Sequence, residues 1–225
     1  MRTITQCTKF ILCSAILSFV VITTNAQAEE AKNLPNFLLP EFSSGIIKFK
    51  SGETKTAIIN YNTVDQEVVF QQKDGYMVLD DPGQIDTIFV ANKTLVPFNK
   101  VFYELVVTGP LTLFIQHKSN AEHQGTPTVF GAKTYATNNT YPRQVYGPTG
   151  TINLRVPDDF KIVNATEYWV RKNGEMDKFT TKRQFLKIFK EREKELSKFI
   201  DSNSISFKNI SDLVKLFNYC NEIYS

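Results

Sequence analysis

Between residues 45 and 117 the chain reads as short runs of β-branched and aromatic residues separated by turn pairs. The runs recur at about the 8–12-residue spacing of an all-β layer. Residues 45–50 (GIIKFK) end at Ser51-Gly52, and residues 56–62 (TAIINYN) answer them, which predicts a hairpin. Residues 67–72 (EVVFQQ) and 76–79 flank Lys73-Asp74-Gly75, and Asp-Gly favours a tight hairpin turn because both positions tolerate positive φ. Runs at 85–91, 94–98, 101–107 (VFYELVV) and 111–117 (LTLFIQH) follow. The last two are apolar at nearly every position, the pattern of central strands covered on both faces. An antiparallel up-and-down meander of about seven strands is the expected core of this block.

Residues 119–150 change character: Asn, Thr, Gly and Pro dominate, with scattered tyrosines. A segment of that length without apolar period is a long polar loop, the kind that carries function. Strand signals return at 152–156, and 167–172 and 175–179 flank Asn173-Gly174, the strongest short hairpin signal in the chain. Beyond it the pattern is helical. Thr181 and Gln184 form a capping box, and Phe185, Ile188, Phe189, Leu196, Phe199 and Ile200 make an apolar stripe. A last helix is predicted from about 210 to 223, with Leu213, Val214, Leu216, Phe217 and Cys220 inward. The expected fold class is therefore α+β: an antiparallel β meander, sandwich or barrel-like, with two C-terminal helices packed on it. The β domain spans residues 29–180, including loop 119–150, and the helical segment spans 181–225.

Residues 1–28 read as a cleavable export signal. Arg2 and Lys9 supply positive charge, residues 10–22 are an apolar run, and Ala26-Gln27-Ala28 offers small residues before a cut after Ala28. The run is shorter than the ~20 residues of a membrane-spanning helix. Cys13 lies inside it after Leu12, the wrong place for lipid attachment. The expected product is exported, periplasmic or cell-surface, not lipidated, with no transmembrane segment. Cleavage would leave 225 − 28 = 197 residues, a net charge of 24 − 23 = +1, and Cys220 as the one cysteine, so no internal disulfide. Near-neutral charge argues against a nucleic-acid partner. Residues 170–225 hold 12 basic and 8 acidic side chains, read as a solvated helix face.

Recognisable catalytic spacings are missing: there is no G-x-S-x-G, no S-x-x-K and no phosphate-binding G-x-x-x-x-G-K-[ST]. His117, Glu122 and His123 lack metal-ligand spacing, so no metal or other cofactor is expected. Asp80-Asp81 and Asp158-Asp159 adjoin prolines and read as turn acids rather than paired catalytic carboxylates. Tyr135, Tyr141, Arg143 and Tyr146 in the polar loop are the candidate binding residues, because aromatic rings on loops give large contact area at low entropy cost. Trp169, in the Asn-Gly hairpin, reads as a ring pinned to the sheet. The expected function is a non-enzymatic binding or interaction module, its partner an envelope protein or polysaccharide. A hydrolase acting on envelope glycans or peptides and a carrier of a small apolar ligand are the alternatives.

The segments L-L-P (38–40), G-I-I-K-F-K-S-G-E (45–53) and I-N-Y-N-T (59–63), with a weaker echo in 168–189, resemble a group of secreted proteins of Bacteroidetes-type bacteria to which no activity is assigned. The resemblance implies an envelope location beyond an inner membrane. It also implies that Asp86-Thr87-Ile88 fits the O-glycosylation pattern of such bacteria, with Thr87 as the modified residue.

Overall fold

The computed structural model describes residues 34–73, 75–127, 133–134, 145–146, 151–152 and 154–224. The apolar run and Ala28 lie outside them. The N-terminal block is built of β1 (Ser43–Phe49), β2 (Thr54–Asn62), β3 (Glu67–Gln72), β4 (Gly75–Val78), β5 (Ile85–Val90), β6 (Lys93–Phe98), β7 (Val101–Val107) and β8 (Leu111–Gln116). There are thus eight strands where about seven were expected, all antiparallel to their neighbours. After them come β9 (Ser119–His123), the short pairs β10 (Thr126–Pro127) with β11 (Lys133–Thr134) and β12 (Val145–Tyr146) with β13 (Thr151–Ile152), and β14 (Phe160–Asn164), which pairs with β9. The hairpin β15 (Glu167–Lys172) and β16 (Glu175–Phe179) closes the series.

The main sheet has ten strands in the order β16-β15-β8-β7-β6-β5-β1-β2-β3-β4. Neighbours in sequence are neighbours in space except at two joints. β5 returns to pair with β1 instead of β4, and β15 joins β8 after the chain has made the smaller ladders. The turn residues carry the hairpins as their chemistry dictates: Asn173 and Gly174 have φ of 51° and 86°, and Asn99 and Lys100 have 48° and 68°, all left-handed as a two-residue hairpin loop requires.

The sheet curls strongly. β2 and β7 are four strand steps apart, about 19 Å if the sheet were flat. Yet the Tyr61 hydroxyl in β2 donates to the Phe102 carbonyl in β7 at 3.4 Å, and the Ser119 N–H after β8 donates to the Thr63 carbonyl after β2 at 2.9 Å. The concave face is filled by Ile47, Ile59, Tyr61, Val68, Ile85, Ile88, Leu95 and Phe102. Further along the same face, Leu111, Leu113, Val170 and Phe179 form a second core with the helices. At the other end, on the convex face, Val69 and Tyr76 pack under Leu34, Phe37, Ile152 and Leu154.

The helical segment has three helices and not two: α1 (Lys182–Ile188), α2 (Glu193–Ser202) and α3 (Ile210–Tyr224). The stripe read as one helix breaks after α1, where Phe189 leaves helical geometry at φ −114°, ψ 44°, and a 3₁₀ turn over 190–192 follows. Phe185, Phe189 and Leu196 all belong to one core, on either side of the break and at it. Thr181 caps α1 by accepting from the Gln184 N–H, while the Gln184 side chain bonds Thr180 rather than the cap residue itself. Among the described residues, no helix is long and apolar enough to cross a membrane.

α3 is latched to the β7–β8 turn by one side chain. Asn221 accepts from the Leu111 N–H at 2.8 Å through Oδ1 and donates to its carbonyl at 3.0 Å through Nδ2. Gly109 makes room for the latch, because a Cβ there would lie 2.7 Å from the Asn221 amide. Asn221→Ala strands a buried backbone N–H and C=O and should lower unfolding free energy by about 1–3 kcal/mol. Urea denaturation of the two proteins would measure the difference.

Candidate functional site

Strand alternation puts one residue of every adjacent apolar pair on the wrong side of a half-buried sheet. β1 carries Ile46-Ile47, β2 carries Ile58-Ile59 and β5 carries Ile88-Phe89. Ile47, Ile59 and Ile88 fill the concave core, so Ile46, Ile58 and Phe89 face outward. They are 48%, 40% and 45% exposed, and Phe98 at the end of β6 is 42% exposed on the same face. Ile46 and Phe89 are direct cross-strand partners, and Ile58 stands opposite Ser44, one alternation away from Ile46. The patch is bordered by the Lys48–Asp86 ion pair at 3.1 Å, which holds the Asp86 carboxyl below the usual carboxylate range.

The convex face continues into an aromatic wall over β7, β8 and β15. Phe98 meets Tyr103 edge-on at 6.0 Å, and Tyr103 meets Trp169 edge-on at 5.8 Å. The Arg171 guanidinium lies over the Phe114 ring at 5.3 Å. Trp169 is pinned as its sequence position suggested: its indole N–H donates to Gln116 Oε1 at 3.1 Å, and Gln116 Nε2 donates to Gln66 Oε1 at 2.6 Å. Tyr103 and Phe114 are buried by these neighbours, so the accessible apolar area lies at Ile46, Ile58, Phe89 and Phe98.

Polar chemistry gathers on the concave face, between the two cores. Glu104 accepts from Lys93 Nζ at 3.0 Å and lies 2.6 Å from His117 Nε2. Burial raises the Glu104 pKa, but the hydrogen bonds from His117 and Lys93 outweigh it and hold the carboxyl below the usual range. His123 accepts from the Gly125 N–H at Nδ1 and lies 3.1 Å from Asp159 through Nε2. Both imidazoles are therefore tied to acids, and among the described residues neither is bonded to a serine or threonine hydroxyl. Glu122 points to solvent, and no group of three His, Cys, Asp or Glu side chains gathers among the described residues.

The acid pairs lie in turns. Asp81 accepts from the Gly83 N–H at 2.8 Å to cap a 3₁₀ turn, and Asp158-Asp159 make the bend that leads into β14. Thr87 lies on the convex face opposite Lys48, and its hydroxyl donates to Asp86 Oδ2 at 3.2 Å. Cys220 is fully buried in the helical core, and burial pushes its thiol up to about 12. Tyr135, Tyr141 and Arg143 lie outside the described residues. Tyr146 is described only in its backbone, which pairs with Thr151.

These features define a curled antiparallel sheet with a helical cap, an apolar patch on its convex face, and its histidines held by structural ion pairs. Compared with known proteins, the chain matches no family model, no curated protein and no solved structure.

The patch residues were within reach of the sequence, because each apolar doublet in a one-sided strand must turn one member outward. The alternation between faces was readable; which member faces out required the register.

Two measurements follow from this geometry. Glu104 has a depressed folded-state pKa, so its ion pairs stabilise the fold above its usual value of 4.5 and are lost as pH falls through the lower folded value. Glu104→Gln should therefore remove part of the acid-side decline, so the difference in stability between the two proteins shrinks on going from pH 6 to pH 3. Equilibrium denaturation across that range checks it. Cys220 should resist iodoacetamide at pH 8 in the folded protein and react within minutes in urea, as followed by mass.

Proposed function

We propose that this chain is an exported, non-enzymatic interaction module of the cell envelope that docks a protein partner on the convex face of its sheet. One observation carries the reading: four large apolar side chains, Ile46, Ile58, Phe89 and Phe98, stand exposed on one face at positions where a one-sided sheet ordinarily places polar residues. The Lys48–Asp86 pair at the margin supplies the polar rim of a docking surface. Four side chains less than half exposed fall short of the roughly 800 Å² per partner of a stable protein pair. The contact is accordingly transient, or extended by further surface. Export rests on residues 1–28, whose small residues Ala26 and Ala28 suit a signal peptidase, and on the resemblance to secreted envelope proteins. The absence of catalytic spacings in the sequence, together with histidines already engaged by Glu104 and Asp159, supports a binding role over a hydrolytic one.

The test is a photo-cross-linking amino acid in place of Ile58 in expressing cells. A discrete adduct to another protein is expected, and Phe89→Glu should abolish it while Asp81→Lys, in the turn before β5, should not. No adduct, an adduct at twice the chain's own mass, or equal loss in both variants would overturn the reading.

A further inference from the structure

A second surface lies on the opposite side of the sheet from the apolar patch. A groove of about 440 Å³ runs along α1, lined by Lys182, Arg183, Leu186, Lys187, Lys190 and Glu193. Apart from Lys182, its basic charge is not cancelled from within. Asp201 is engaged by Lys182 at 2.7 Å, Glu195 by Arg192 and the Tyr219 hydroxyl, and Glu191 by Lys172 and the Tyr224 hydroxyl. These three acids are thus committed to internal contacts. Arg183, Lys187 and Lys190 are exposed, and among the described residues none has a carboxylate partner. Arg183 and Lys187 stand one turn apart on α1, about 6 Å along its axis, and Lys190, past the break at Phe189, lines the same groove.

We infer that this groove binds a linear, carboxylate-bearing polysaccharide. Three features select that ligand among anions. Cations spread along one groove match a chain with charges in series, whereas one phosphate would engage one or two of them. Leu186 lies recessed at 8% exposure between the cations, an apolar floor for the C–H face of a sugar ring and not a protruding anchor of the kind that enters a bilayer. No aromatic ring lines the groove, so it lacks the stacking platform that single-stranded nucleic acid uses. Glu193 closes one end, where its carboxylate repels a polyanion and sets the side on which the chain enters.

The experiment is titration of the full chain with polygalacturonate oligomers at low and at moderate salt. Binding should be measurable at low salt and weaken as salt rises. The triple variant R183E/K187E/K190E should bind about tenfold more weakly or worse. Glu193→Gln should bind severalfold more tightly, a gain that damage to the fold would not produce. A control with the same charge change, K100E/K208E/K215E at exposed positions elsewhere, should stay within about twofold. No binding at low salt, equal loss in the control, no gain in Glu193→Gln, or tighter binding to phosphatidylglycerol vesicles or to single-stranded DNA than to polygalacturonate would each overturn the assignment. None of these outcomes bears on the convex patch, whose residues the variants leave intact.

Discussion

The antiparallel pairing of β1 with β5 makes one sheet out of two four-stranded sets, the second extended by β15 and β16. β1 to β4 form one consecutive set and β5 to β8 the other, and only this joint aligns Ile47 with Ile88 and Gly45 with Val90. The concave core depends on it, because Ile47, Ile59 and Tyr61 come from one set and Ile85, Ile88, Leu95 and Phe102 from the other. A register slip of one residue at this joint would turn the core side chains of one set outward relative to those of the other. The shift between Lys48 and Phe49 is the local adjustment that keeps Ile85 inward while the strand bends. Gly45 belongs to the same arrangement: a Cβ there would lie 2.6 Å from the Ile59 side chain and 3.0 Å from the Phe89 carbonyl.

Buried amides hold the curl in place where backbone pairing stops. The Asn60 side chain accepts from the Leu39 N–H at 3.0 Å and donates to its carbonyl at 2.8 Å, so it stands in for a peptide group where the leader departs from the sheet. Asn36 donates to the Leu154 carbonyl at 3.1 Å, and the Thr63 hydroxyl bonds both the Asn36 carbonyl and Ser119. Each satisfies a backbone or side-chain group that would otherwise be dehydrated without a partner, which is the condition for polar groups to be tolerated in a core. The same device latches α3 through Asn221. Side-chain amides, with both a donor and an acceptor, suit this repeated use.

Much of the fold was legible because strands of this chain follow local chemistry. The runs 67–72, 101–107 and 175–179 coincide with β3, β7 and β16, and the Asn-Gly turn takes the left-handed geometry its residues favour. The β8 reading also held: every residue from Leu111 to Gln116 is buried. The β1–β5 joint was not legible, since strand order depends on which apolar faces meet and not on the alternation within a strand. The break at Phe189 was hidden for a related reason. Its sequence reads as an unbroken apolar stripe, and the spacing of Phe185, Phe189 and Leu196 does not mark the interruption. The convex patch was half visible in the doublets Ile46-Ile47 and Ile58-Ile59. Arg183, Lys187 and Lys190 were visible as charge, but their lack of a carboxylate partner among the described residues depends on where Lys172, Tyr219 and Tyr224 sit in space.

The Asn221 latch joins positions 110 residues apart, and the residue that closes the β7–β8 turn belongs to α3. Contacts of such separation carry a high loop-closure cost and form only after nearer pairings have gathered the chain. The β1 to β4 hairpins close on local pairings as soon as they exist, whereas Leu111, Leu113 and Val170 stay uncovered until Leu213, Leu216 and Phe217 arrive. Removal of α3 would leave the strands their pairings and uncover Leu111, Leu113 and Val170. The burial of β8 is therefore decided by a helix whose contact residue lies 110 positions further along the chain.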